Sequence, residues 1–213
     1  MDDKTSKKSM PKWLSIVVFV GGVILVIAGL FKIFGASSSN TLVNKFNKLQ
    51  APAIETKDDL TSVSNLLTRI EAKETNKDYS GINADLQTAL TKLNDAATKV
   101  ESTSTTLTEF QSLIDSSSNQ DIKTTGGQFI DMFKWRNATV LKMVADAKDL
   151  VNQAITYYTE VGSNKKVTID VAKFTAAAKT FAENAASMAT IGMQYDAAVN
   201  DFAKAAGFTV KEK

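Results

Sequence analysis

Histidine and cysteine are both absent from this chain, so the commonest general base and metal ligand and the thiol nucleophile are missing from its chemistry. Carboxylates remain. Asp58-Asp59, Asp146 with Asp149, and Asp196 with Asp201 stand out, but none has a glycine-rich ion loop beside it, and they read as solvated helix faces. Asn137-Ala138-Thr139 spells a glycosylation acceptor. It falls inside a helical repeat with Asn137 on a core column, which makes the match accidental. The expectation is a protein that is not an enzyme, with no cofactor and no metal. Net charge is +2 and much of the basic excess sits near the N-terminus, so no basic stripe is left for nucleic acid.

Two groups of residues are suited to binding. Met132 and Trp135 fall outside two heptad-spaced columns of their helix and sit beside Lys134 and Arg136. Together they form an expected exposed aromatic and basic cluster, of the kind that meets lipid headgroups or a protein partner. The competing expectation, set slightly ahead of it, is that the preceding loop folds back and covers Trp135. The second group is Asn137 and Asn184, two amides in core columns. They predict a polar layer that fixes register at some cost in stability, with a ligand pocket between helices as the alternative. If the second and third arms are antiparallel about Gln120–Asp121, Asn137 lies level with Thr103 and Thr106, which predicts a buried amide-to-hydroxyl hydrogen bond.

The elements that must position these groups are helices. Two prolines and ten glycines in 213 residues are few for a turn-rich sheet fold. Leu42, Val43, Phe46 and Leu49 repeat at helical spacing up to Pro52. A second piece is expected from Thr56, with Asp58-Asp59 in its first turn and Leu60, Val63, Leu66, Leu67 and Ile70 as its stripe. After a turn at Asn76–Gly81, with Ser80 as N-cap, Leu86, Leu93, Val100, Leu107 and Ile114 form one column, and Ile82, Ala89, Ala96, Thr103 and Phe110 a second. That is a helix of roughly 35 residues, about 50 Å long, weakened at Ser102–Thr106.

Ser116–Gly127 is expected as a loop. The repeat resumes with Ile130, Asn137, Val144, Val151 and Tyr158 against Phe133, Val140, Ala147, Ala154 and Val161, closing at Gly162. A last helix from about Thr168 to Gly207 carries Phe174, Phe181, Met188, Tyr195 and Phe202 against Ala177, Asn184, Ile191, Ala198 and Ala205. Phe208–Lys213 reads as a loose tail. Leu90, Leu113, Leu141, Met143, Leu150, Ile155 and Tyr157 widen the apolar faces beyond a two-stranded coiled-coil seam. An intramolecular bundle is therefore favoured over pairing between chains, and homo-oligomerisation is not favoured.

Leu14–Phe31 is an 18-residue run without charge, the length that crosses a bilayer as a helix. Lys4, Lys7, Lys8 and Lys12 precede it, and only Lys32 closely follows, so the positive-inside bias places the N-terminus in the cytoplasm. Trp13, Phe31 and Phe34 suit the two interfaces. A cleaved signal peptide is the alternative, but the run is long for one, and Lys32-Ile33-Phe34 stands where small residues should precede a cut. The expected organisation is a cytoplasmic tip over 1–12, an anchor over 13–34, a flexible joint over 35–39, a bundle over 40–207 and a tail over 208–213.

Asn40-Thr41-Leu42-Val43 and Tyr195–Val199 followed by Gly207-Phe208 resemble the two ends of LemA-type membrane-anchored helical proteins. The DLIPNLV-type stretch of that family is absent, so no residue role follows from the likeness. In outline the bundle is also similar to chemoreceptor sensor domains, which are bracketed by two spans where this chain has one. The fold expected is all-α: an N-terminal transmembrane helix, then an extracytoplasmic antiparallel up-down-up-down four-helix bundle with its first arm interrupted near Pro52. The function expected is a non-enzymatic cell-envelope interaction or scaffold protein. The alternative is a small-ligand-sensing bundle that relays through a membrane partner.

Overall fold

The computed structural model describes residues 41–208, so the expected anchor at Leu14–Phe31, the tip and the joint lie outside the described residues. Six helices follow one another: α1 (Thr41–Thr68), α2 (Ile70–Thr75), α3 (Tyr79–Glu101), α4 (Thr103–Asp115), α5 (Gln120–Gly162) and α6 (Val171–Ala206). They make four arms, α1–α2, α3–α4, α5 and α6, with no strand among the described residues. Among these residues no helix is long and apolar enough to cross a membrane.

Contacts between arms pair residues in opposite order. Lys45 with Glu109, Asp59 with Lys99 and Arg69 with Asp85 join the first two arms. Thr103 with Asn137 and Asn83 with Thr159 join the second and third. Asp146 with Asn184 and Arg136 with Tyr195 join the last two. Each successive pair of arms is therefore antiparallel. The fourth seam is wider, since no Cα of α1 comes within 8 Å of one of α6, and long side chains span it.

The helix boundaries correct several expectations. The first arm is not interrupted at Pro52, which lies inside α1. Proline there removes one backbone donor, while Leu49 and Ala53, buried on either side, hold the helix in place. Thr56, expected to open a second piece, instead lies mid-helix and donates its hydroxyl to the Pro52 carbonyl at 2.7 Å. The irregularity comes later, at Arg69. Asp78, not Ser80, caps α3 by accepting from the Gly81 N–H. The weak segment does break the second arm, at Ser102. The Ser102 and Thr103 hydroxyls turn back onto the carbonyls of Lys99 and Val100, as such residues do when they compete with the helix.

The largest correction is the loop expected over Ser116–Gly127. Only Ser116–Asn119 lies outside the helices, because Asn119 caps α5 by accepting from the N–H groups of Asp121 and Ile122. Gly126 is buried within α5, where a Cβ would come within 2.6 Å of Ile114 Cδ1. Glycine serves close approach of two arms there, not a turn. At the other end of α5 the left-handed residue is Asn164 (φ 52°), two positions after α5's last residue, Gly162. Gly207 (φ 73°) ends α6 as expected. Phe208 is not loose: its ring packs 5.4 Å from Phe46 and 5.6 Å from Phe202.

Two cores fill the bundle. One is aromatic and lies at the end where α1 begins, built on Phe46, Phe110, Phe129, Phe133, Tyr195 and Phe202. The other fills the shaft with Leu, Val, Ile, Met and alanines such as Ala89, Ala96, Ala147 and Ala154, joined by Phe174 and Phe181. The first column of α6 is buried as expected. Its companions Ala178, Ala185, Gly192 and Val199 stand four residues on, not three. Ile191 and Ala198 are buried as well, but Ala177, Asn184 and Ala205 fall to the flank. At 3.6 residues per turn both spacings lie near one face, and packing against α5 selects between them.

Candidate functional site

The polar residues form a belt where the two cores meet. Gln50 of α1 is buried and donates Nε2 to the Tyr195 hydroxyl at 2.6 Å. Arg136 of α5 is only 4 % exposed, and its guanidinium carbon lies 4.7 Å from the centroid of the Tyr195 ring, a cation–π geometry. Burial pulls the Arg136 pKa below the ordinary guanidinium value, with the Tyr195 side chain and the Asp196 carboxylate opposing. Burial raises the Tyr195 hydroxyl, against the pull of Arg136 and Gln50. One hydrogen-bonded and stacked chain thus ties α1, α5 and α6 across the widest seam.

The expected exposed cluster is divided by this arrangement. Trp135 is 48 % exposed, and the short 116–119 loop, at the start of α5, leaves it uncovered. Lys134 is exposed and donates to Gln111 Oε1 at 3.3 Å. Met132 is half-buried and packs against both cores. Arg136 points inward, which corrects its assignment to the surface. The signal was in the spacing: Phe129, Arg136, Met143 and Leu150 form a third heptad-spaced column, all buried. A guanidinium in that column belongs to the interior whatever its charge. Met193 of α6, 66 % exposed, was not singled out in the sequence. It lies off the buried columns of its helix, which was the available clue.

The expected amide-to-hydroxyl bond is present: Asn137 Nδ2 donates to Thr103 Oγ1 at 3.0 Å. Thr103 is buried, while Asn137 and Thr106 are half-buried. Asn184 is not a core residue. It lies half-buried on the flank of α6 and donates Nδ2 to Asp146 Oδ2 at 2.8 Å. Nearby, Leu60, Leu93, Val140, Met143, Val144, Ala147 and Phe181 line an apolar cavity of about 10 Å³, the lower limit for a single water.

Asp59 is likewise not a solvated face. It is 4 % exposed and sits between Lys92 at 3.1 Å and Lys99 at 2.6 Å. Its hydrogen bond raises the Lys99 pKa against the effect of burial. With Asp85, held by Lys73 at 2.8 Å and Arg69 at 3.2 Å, it clamps the first two arms. Among the described residues no group of three or more acidic side chains gathers to hold a metal.

No family model, curated protein or solved structure matches this chain. Its likeness to the ends of LemA-type proteins rests on the quoted residues alone.

Proposed function

We propose that this chain is a single-pass membrane protein whose helical bundle stands outside the membrane and binds a protein partner, as a non-enzymatic interaction or scaffold protein of the cell envelope. The anchor is Leu14–Phe31, with the N-terminus cytoplasmic, and the bundle has up-down-up-down topology. Trp135 is the observation that carries the binding role. It remains half-exposed on α5 while Phe129, Phe133 and Tyr158 of the same helix are buried and its neighbour Arg136 turns inward. A rigid helix presenting one aromatic ring beside Lys134 is a fitting anchor for an interface.

Position along α5 favours protein over lipid. Trp135 lies 15 residues from the start of α5, about 22 Å along the axis, and so stands well above the end that would face the membrane. The ligand-sensing alternative draws no support at Asn137 or Asn184, since both amides bond to neighbouring side chains and the adjoining cavity is about 10 Å³. Protease added to intact cells or spheroplasts tests the topology. The bundle should be digested to leave a small anchor fragment, and full protection of residues beyond 40 contradicts the reading.

A further inference from the structure

The end of the bundle opposite the aromatic core carries a cleft that the binding surface at Trp135 does not use. It is an open groove between the start of α3 and the last turn of α5, with a volume of about 470 Å³, and is lined by Lys77, Tyr79, Asn83, Tyr158, Thr159 and Ser163 among others. That volume is in the range that takes a small molecule. Thr159 lies 39 residues along α5, about 60 Å from its start, so the cleft occupies the far tip of the rod.

Its walls are fixed. Tyr79 is half-exposed and inclined 29° to the buried Tyr158, with ring centroids 6.3 Å apart. Tyr158 is braced edge-on by Tyr157 at 5.2 Å. A Cβ on Gly162 would come within 3.1 Å of Tyr79 Cβ, so a glycine there lets the end of α5 close on the ring. Asn83 donates Nδ2 to Thr159 Oγ1 at 3.3 Å. Its Oδ1 is buried with no hydrogen-bond partner among the described residues, an uncommon condition for a buried acceptor.

The lining is close to neutral. Asp78 is occupied in capping Gly81 and offsets its neighbour Lys77, so neither an anion nor a cation finds a concentrated counter-charge. Hydroxyls, an amide and a half-exposed aromatic ring remain. These groups suit the alternating C–H faces and hydroxyl edges of a sugar: the ring lies on Tyr79, and hydroxyls bond to Ser163 and to Thr159, whose hydroxyl Asn83 holds in place. We infer that this tip cleft is a binding site for a neutral, polyhydroxylated ligand, a sugar unit of a glycan. The inference does not rest on the Trp135 surface or on the membrane topology.

Saturation-transfer NMR on the full chain, kept in a detergent without a sugar headgroup, tests it with maltotriose and the N-acetylglucosamine trimer as probes. Choline and acetate are the charged controls. At least one trisaccharide should receive saturation on its ring protons. The effect should fall about tenfold in Asn83→Ala and in Tyr79→Ala, each checked for helicity by circular dichroism, and stay unchanged in Thr180→Ala on the exposed face of α6. Saturation of neither trisaccharide, saturation of a charged control alone, or a trisaccharide signal that survives in folded Asn83→Ala overturns the proposal.

Discussion

The aromatic end and the shaft are built from the same arms but filled in different ways. In the shaft, alanines on α3, α5 and α6 let helix axes approach while branched aliphatic residues interlock between them. At the end, six of the eleven core residues among those described are aromatic, and Phe129 alone lies within 6 Å of Phe46, Phe110, Phe133, Tyr195 and Phe202, centroid to centroid. The α1–α6 seam is wide along its length, and rings close it at the end. In the shaft, Leu60 of α1 and Phe181 of α6 border the small void that remains. Side-chain size thus decides which part of a wide seam is sealed. The buried cation of Arg136 sits where one mode of filling gives way to the other.

The largest expected effect comes from opening the aromatic end. Phe129→Ala should lower stability in urea unfolding by about 3–5 kcal/mol, the usual cost of removing a fully buried ring. Ala96→Leu should cost about 1–3 kcal/mol by overcrowding the shaft. A reversed order would show that the tight packing lies in the shaft.

At the junction, Arg136→Ala should cost about 3 kcal/mol, because it removes the stacked stem and leaves the rest of a buried polar chain without its cation. Arg136→Met keeps most of the volume and needs no desolvation of charge, so its cost should be less than half as large. Equal losses in the two variants would show that the charge, not the stem, holds the belt together. The smallest effect belongs to Asn137→Leu, about 1 kcal/mol, the net worth of one hydrogen bond. Thr103 keeps a second partner in the Val100 carbonyl, so its hydroxyl is not left unmet.

The columns of the second and third arms were legible in the sequence because seven-residue spacing of apolar residues survives any choice of flanking turn. The Thr103–Asn137 bond was legible for the same reason, since an antiparallel hairpin fixes which residues share a height. Pro52 and Gly126 misled, because local propensity argues for a break at each while burial of Leu49, Ala53 and Gly126 itself overrides it. Asp59 and Arg136 were misplaced because charge was read as exposure. The heptad column of Arg136 with the Tyr195 ring under it, and the Lys92 and Lys99 partners of Asp59, decide otherwise. The tip cleft had no signature in the sequence, since its walls come from two helices whose meeting is set by Tyr79 and Gly162, more than 80 residues apart.

The central claim is that the rod meets its partner through the outward face of α5 at Trp135 and not through its buried belt. A photoreactive amino acid placed at position 135 of the full chain, in its native membrane, tests this most directly, with Ala145 on the exposed side of the same helix as the comparison position. The account predicts a discrete protein adduct from position 135 and none from position 145. No adduct from position 135, or the same adduct from both positions, would contradict it.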